Sequence, residues 1–188
     1  VESFDPDLLH THRDLIKKTG AILEAGPALD HLKAETYTGR LSMSGDPEDP
    51  SDWTCADIEI EGPRVIREIT LKITPLEESD LDLPNILRRV LFCIDLQDRR
   101  TVRVPVADFF ASVPGFNPYR SYPMGVTKEG VGYCRFPIPL KDGGNIRLVA
   151  DGPLPKVRYD MTIRSEEMEI PQDALVFRAS WSIQKKVR

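Results

Sequence analysis

The chain has 188 residues, with 25 Lys and Arg against 30 Asp and Glu, a net charge of −5, and 40% hydrophobic residues. This length suffices for one domain with a substantial core, and the composition excludes a mainly disordered chain, a coiled coil or a collagen. Nucleic acid is not an expected partner, because the basic field of a nucleic-acid-binding protein is missing. No membrane association is expected, since no stretch approaches the roughly 18 apolar residues of a spanning helix, and we expect a cytoplasmic location.

A helical arm is predicted at the N-terminus. Apolar residues recur at helical spacing between residues 5 and 24, Asp5-Pro6 is typical of a capped helix start, and Gly26-Pro27 ends the pattern. A second short helical piece is predicted for residues 28–33. We therefore assign residues 1–40 to a helical N-terminal arm.

No metal site and no cofactor are predicted. All three histidines lie in the arm, where His10 and His12 are only two residues apart and point to different sides of a helix. The cysteines are odd in number and widely spaced, which is typical of reduced thiols rather than of a disulfide framework or a zinc site; they are Cys55, Cys93 and Cys134.

An acidic stretch follows the arm. Seven carboxylates and no Lys or Arg lie between Leu41 and Glu61, and the turn-forming residues 45–52 are in the middle of this stretch. Calcium is the alternative to a solvated loop, but the spacing does not match an EF-hand. The sequence therefore predicts a solvated acidic loop.

The rest of the chain is predicted to be all-β. Sixteen scattered prolines suit short strands broken by turns, and a loop is predicted at residues 82–85. The predicted strands are residues 56–61, 65–73, 87–96, 101–106, 133–139, 145–150, 156–164 and 175–184. Eight strands in about 130 residues indicate a jelly-roll sandwich of two antiparallel sheets, which we assign to residues 41–188.

The common catalytic signatures are absent. The sequence contains no GxGxxG, GxxxxGK[ST], HExxH or GxSxG motif. A Ser-His-Asp triad would have to borrow a histidine from the arm. A pair of carboxylates for glycoside hydrolysis stays open, because thirty acidic residues guarantee some close pairs.

One segment has the composition of a sugar site. The strand ending at Val106 runs into Asp108, Phe109 and Phe110, and a loop rich in proline and aromatic residues follows at 114–124. Aromatic faces stack on the C–H faces of sugars while neighbouring polar groups hold the hydroxyls. The alternative is structural: both phenylalanines fill the core and Asp108 caps the turn.

Four stretches resemble a known family of double jelly-roll glycoside hydrolases, which includes difructose-anhydride synthase/hydrolases and α-D-fructofuranosidases. Residues 60–69 look like its "DGPGVIRHIW" strand, and residues 90–110 are similar to its "LRIYWDGE…PSVEVPLGDFF" stretch. Residues 136–140 look like its "PMPF" and residues 177–181 like its "HAQW". The resemblance covers about residues 55–184 and corresponds to the first of the family's two jelly rolls.

The resemblance also has departures. Asp95 stands at the Asp of the family's WDG, but Ile94 and Leu96 replace its neighbours, and Thr70 replaces a tryptophan. The family's catalytic glutamates lie in its second jelly roll, around a "GTEDYF" motif that does not occur in these 188 residues. No catalytic glutamate is therefore carried over.

Two functions follow as expectations. The first is a non-catalytic single jelly-roll protein that acts in symmetric, capsid-like self-assembly or in carbohydrate binding. The second is a fructofuranosidase-like glycoside hydrolase whose site is completed at a subunit interface or by a second jelly roll. The resemblance implies a homo-oligomer, a trimer or a multiple of it. The predicted saccharide-binding residues are Asp95, Asp108, Phe109, Tyr119 and Tyr122.

Overall fold

The computed structural model describes residues 11–43, 53–96 and 99–182. Its helices are α1 (Arg13–Ala25), α2 (Leu83–Arg89) and α3 (Val106–Phe109). Its strands are β1 (Lys33–Met43), β2 (Trp53–Thr54), β3 (Ala56–Ile60), β4 (Arg64–Pro75), β5 (Val90–Leu96), β6 (Arg99–Pro105), β7 (Tyr119–Arg120), β8 (Met124–Val126), β9 (Gly132–Cys134), β10 (Ile138–Leu140), β11 (Gly144–Ala150), β12 (Leu154–Glu167) and β13 (Ala179–Ser180).

The strands described form two sheets. One has eight strands in the order β2-β1-β12-β4-β9-β8-β7, with β10 also paired to β4. The other has five strands in the order β13-β6-β5-β11-β3. The pairs are antiparallel except for β13, which runs parallel to β6. The predicted sandwich of two sheets is thus confirmed.

The core lies between the two sheets. Strands β4 and β12 contribute Leu71 and Met161, and strands β5 and β11 contribute Phe92 and Leu148, all of them buried in one cluster. Alternate residues of each strand point to this core because successive side chains of a strand point to opposite faces. Each such side chain stabilises the fold by about 1.5–3 kcal/mol.

Helix α2 replaces the first part of a predicted strand. The loop predicted at 82–85 is the start of the helix: the Asp82 carboxylate accepts a hydrogen bond from the Asn85 N–H at 3.0 Å. Ile86 and Leu87 are buried on the helix, and β5 begins only at Val90. The Asp82 cap and the proline in the first helical turn thus favour a helix more strongly than the apolar residues after them favour a strand.

Two further strand predictions were wrong in extent. The strand predicted for 133–139 is two strands, β9 and β10, and the Arg135 N–H between them donates instead to the Pro123 carbonyl at 2.7 Å. Within the strand predicted for 175–184, only Ala179–Ser180 is a strand, and residues 183–184 lie outside the described residues.

In the N-terminal unit the structure describes residues 11–31, where helix α1 has no buried residue. Helix α1 ends where predicted, since Gly26 has a φ of +81° and its N–H donates to the Ile22 carbonyl at 3.2 Å. The predicted helix start at Asp5-Pro6 and the acidic loop at 45–52 lie outside the described residues. Among the described residues, no helix has the length and apolar character needed to cross a bilayer.

The boundary of the sandwich lies earlier than predicted. The chain divides between His31 and Leu32 into two units. Residues 33–40, which the sequence assigned to the arm, belong to β1, so the second helical piece predicted for 28–33 was wrong. Strand β1 pairs with β12 over most of its length.

Candidate functional site

An apolar cavity opens beside α3, where the chain leaves β6. Its volume is about 420 Å³, and aromatic side chains make up much of its wall. We call it the aromatic cleft; it is lined by Val104, Asp108, Phe109, Ala111, Met124, Phe136, Phe177, Ala179, Ser180 and Trp181. Three separate parts of the sandwich therefore meet here: the β6–α3 junction, the β8–β10 region and the segment around β13.

A single helical turn positions Asp108 and Phe109. Pro105 precedes the turn with an extended backbone, and the Phe110 N–H donates to the Val106 carbonyl at 3.3 Å. The Ala111 N–H donates to the backbone carbonyl of Asp108 at 3.0 Å. Because backbone groups close this turn, the carboxylate of Asp108 is not needed as its cap, contrary to the structural alternative above.

Phe109 forms the floor of the aromatic cleft and is also part of the core. It is 5% exposed, and its ring stacks on Phe92 with centroids 4.1 Å apart. It meets Phe110 and Phe177 edge-on at 5.0 and 6.4 Å. The prediction that the two phenylalanines fill the core is thus confirmed, and Phe109 is also one of the residues that line the cleft.

Phe177 and Phe136 continue the aromatic wall. Their ring centroids are 6.3 Å apart, and Phe136 is 41% exposed. Trp181 is partly buried and lines the same cavity. Three of these lining residues were not predicted as site residues: Phe136, Phe177 and Trp181. The last two are the first and the last residue of the segment 177–181, which looks like "HAQW".

The carboxylate of Asp108 is the notable polar group of the aromatic cleft. Its Oδ2 atom is buried and has no hydrogen-bond partner. A buried acceptor without a donor costs about 1–3 kcal/mol. This atom is closed to solvent, so a ligand in the cleft meets the partly exposed remainder of Asp108. Asp108 is the one charged residue in the described lining of the cleft and is therefore the group best placed to orient a bound molecule.

Asp95 lies in a different cavity. Asp95 pairs with Arg100 near one end of β5, whereas Leu91 pairs with Pro105 beside α3. Four residues of strand separate these pairs by about 13 Å. The structure therefore does not bring Asp95 to Asp108.

Around Asp95 is a polar cavity of about 760 Å³. We call it the polar cavity; it is lined by Glu59, Ile60, Glu61, Gly62, Asp95, Arg100, Asp142, Gly143, Gly144, Asn145 and Arg147. The Arg100 Nε donates to the Asp95 Oδ1 at 2.9 Å, and Arg147 contacts the other oxygen. Partial burial alone would raise the pKa of the Asp95 carboxyl, but the hydrogen bond from Arg100 and the charges of Arg100 and Arg147 outweigh it, so the pKa is lowered.

The two predicted tyrosines do not line the aromatic cleft. The Tyr119 hydroxyl donates to the Phe110 carbonyl at 2.7 Å, and burial raises the pKa of this hydroxyl. Tyr119 thus fastens the turn that follows α3. Tyr122 is 37% exposed and belongs to neither of the two cavities.

Over the part of the chain that the structure describes, no group of three or more His, Cys, Asp or Glu side chains is arranged to hold a metal ion. The three cysteines are free thiols, with Cys93 and Cys134 buried and Cys55 exposed.

Fold and cavity together define a β-sandwich domain with an aromatic, carboxylate-bearing cleft. The family model described as GH172 domain-like matches residues 57–157, which is more than half of the chain, and the chain belongs to this family. No curated protein matches the chain. The matched region includes both Asp95 and α3, whereas Phe177 and Trp181 of the aromatic cleft follow it.

Proposed function

We propose that the protein is a carbohydrate-binding jelly-roll module and that the aromatic cleft is its binding site. The observation that carries this proposal is the lining of the cleft, in which the partly exposed Asp108 stands among four aromatic side chains. Sugars present apolar C–H faces and hydroxyl donors at once. A cleft with rings for the faces and a carboxylate for the hydroxyls matches both properties.

The size of the aromatic cleft fits a small saccharide unit. Its volume of about 420 Å³ lies at the lower end of the range of about 300–1,000 Å³ that is usual for small-molecule sites. Phe136, at 41% exposed, can contact a sugar without a change in the core. Phe109 forms a rigid floor because it is stacked on Phe92.

Binding without hydrolysis is the role that the lining of the cleft supports. Most glycoside hydrolases use two carboxylates about 5–9.5 Å apart. Asp108 is the only carboxylate among the ten described residues that line the aromatic cleft. A proton donor or a nucleophile would therefore have to come from elsewhere.

The polar cavity has more carboxylates but a poor candidate for an acid. A glycosidase acid needs a raised pKa so that it carries a proton at neutral pH. The pKa of Asp95 is lowered instead, through Arg100 and Arg147. Asp95 is thus a carboxylate that is held in its ionised form.

A second candidate function is glycoside hydrolysis, and membership of the GH172 domain-like family favours it. In this version the aromatic cleft holds the sugar, and a carboxylate from another subunit or from a second jelly roll completes the site. An assay with fructosides discriminates the two functions. Turnover that is abolished in Asp108→Asn supports hydrolysis, and binding without turnover supports the module.

Fluorescence gives a direct test of sugar binding. The chain has two tryptophans, so Trp53→Phe leaves Trp181 as the single reporter in the aromatic cleft. The probes are a panel of di- and trisaccharides that includes fructosides, neutral hexose oligosaccharides and chito-oligosaccharides. We expect at least one of them to shift the emission of Trp181.

Calorimetry with matched variants then assigns the site. Trp181→Ala and Phe136→Ala should each weaken binding of that sugar at least tenfold. Tyr122→Ala removes an exposed aromatic ring outside both cavities and should leave the affinity unchanged. Absence of binding by every sugar, or equal losses in all three variants, would contradict the proposal.

A further inference from the structure

The lining of the aromatic cleft contains an acidic side chain but no basic one among the described residues. Among its ten described lining residues there is one ionisable side chain, Asp108, and no Lys, Arg or His. Arg178 lies between two lining residues but does not itself line the cleft. The cleft is therefore an apolar wall around a single acidic group.

The arginine that lies between β9 and β10 forms its ion pair outside the cleft. Arg135 precedes the lining residue Phe136, but its Nε donates to the Glu68 carboxylate at 2.8 Å. Its guanidinium also lies over the Tyr133 ring, 4.3 Å from the centroid. These contacts engage the positive charge of Arg135 with residues that do not line the aromatic cleft.

Aromatic rings and a carboxylate with no cationic residue beside it in the described lining both favour a cation. The faces of Phe and Trp rings carry negative quadrupole potential and attract ammonium groups, more strongly when water is excluded. Four such rings, those of Phe109, Phe136, Phe177 and Trp181, line the cleft. A hydrogen bond from a charged donor to a carboxylate is roughly twice as strong as one from a neutral donor.

We propose that the aromatic cleft recognises a protonated amine on its ligand, so that it prefers amino sugars to neutral sugars. This inference rests on the proposed function and names the class of saccharide. The ammonium group of the sugar donates to the carboxylate of Asp108, a residue that is partly exposed, while the rings cover the C–H face of the same sugar unit. An anionic sugar is rejected because its carboxylate would face Asp108 with no cation between them.

The test compares two probes of the same length. One is the trimer of glucosamine at pH 6, where its amines are protonated, and the other is the N-acetylated trimer, which is uncharged. We expect the charged trimer to bind at least tenfold more tightly by calorimetry in 50 mM salt. Methylammonium, which carries the charge and the N–H donors without the sugar, should compete with it.

Two variants separate recognition by Asp108 from general attraction to an acidic protein. Asp108→Asn keeps the shape of the side chain and should reduce the preference for the charged trimer to less than twofold. Asp57→Asn removes the same charge from β3, at the opposite edge of the five-stranded sheet from β13, and should keep the preference. Melting temperatures of both variants show that each is folded.

The outcomes distinguish this inference from the proposed function. Equal affinity for the two trimers overturns the amine inference and leaves sugar binding standing. Equal loss in both variants shows nonspecific charge attraction and also overturns it. If no sugar binds but methylammonium does, the proposed function fails, and the preference for amino sugars fails with it.

Discussion

The ring of Phe109 lies 4.1 Å from the ring of Phe92, centroid to centroid, with an angle of 23° between their planes. The floor of the aromatic cleft is thus continuous with the core of the sandwich. Stability and ligand binding share this residue, and they must be separated by a suitable choice of variant.

Phe109→Ala should destabilise the fold by about 3–5 kcal/mol, because it removes a ring that is 5% exposed and leaves a cavity between Phe92, Phe110 and Phe177. Phe136→Ala should cost less than about 1 kcal/mol, because that ring is 41% exposed. Urea denaturation of both variants measures the difference. Similar losses in the two would show that Phe109 is not part of the core.

Glu68→Ala should destabilise the eight-stranded sheet. Glu68 is buried and accepts hydrogen bonds from Arg135 at 2.8 Å and Arg164 at 2.6 Å. Removing it leaves two guanidinium groups without their carboxylate. We expect the free energy of unfolding to fall by about 2–3 kcal/mol, which is less than for a fully buried ion pair because both arginines keep some contact with water. Chemical denaturation at pH 7 measures the loss in free energy of unfolding. A loss below about 0.5 kcal/mol, which is the effect of an ordinary surface substitution, would contradict this role of Glu68.

The ion pairs of Asp95 should make the free energy of unfolding depend on pH in the acidic range. The folded state lowers the pKa of Asp95, so its contribution is present above the unfolded value of about 3.9 and is lost as the pH falls through the folded value. Asp95→Asn should therefore be less stable than the parent at pH 7, by about 1 kcal/mol. The two should converge in parallel urea titrations as the pH falls below the lowered pKa of Asp95, and a difference independent of pH would rule out this origin.

The oligomeric state stays a prediction. We expect light scattering after size exclusion to give the mass of a trimer or of a multiple of it. Such a particle would make a site completed by a second subunit worth testing with fructosides. A monomer of 21.2 kDa would exclude both self-assembly and the shared active site, and sugar binding by the single chain would remain.

The sandwich itself could be predicted because its strands carry their signal locally. Alternation in residues 56–61 and 145–150 corresponds to β3 and β11 almost residue for residue. Strand β1 was missed because it is polar and contains Gly39, and its stability comes from β12, where Tyr37 pairs with Met161. No local pattern reports a partner more than a hundred residues away.

Only some residues of the candidate site could be predicted from the sequence, for a similar reason. Asp108 and Phe109 stand next to each other in the sequence, so their aromatic and acidic character is visible there. Trp181 lines the same cavity from a distant part of the chain, and Asp95 is separated from it by the length of β5. Composition identified the kind of side chains, whereas strand pairing decided which of them meet.

The parallel strand β13 has a consequence for the handling of the protein. Ala179 and Ser180 pair with Val102 and Arg103 and so cover the outer side of β6, while the same two residues line the aromatic cleft. A chain cut before Ala179 would expose the longer β6 as a free edge, and such edges promote aggregation between molecules. Protection against aggregation and one wall of the ligand site are thus built from the same two residues.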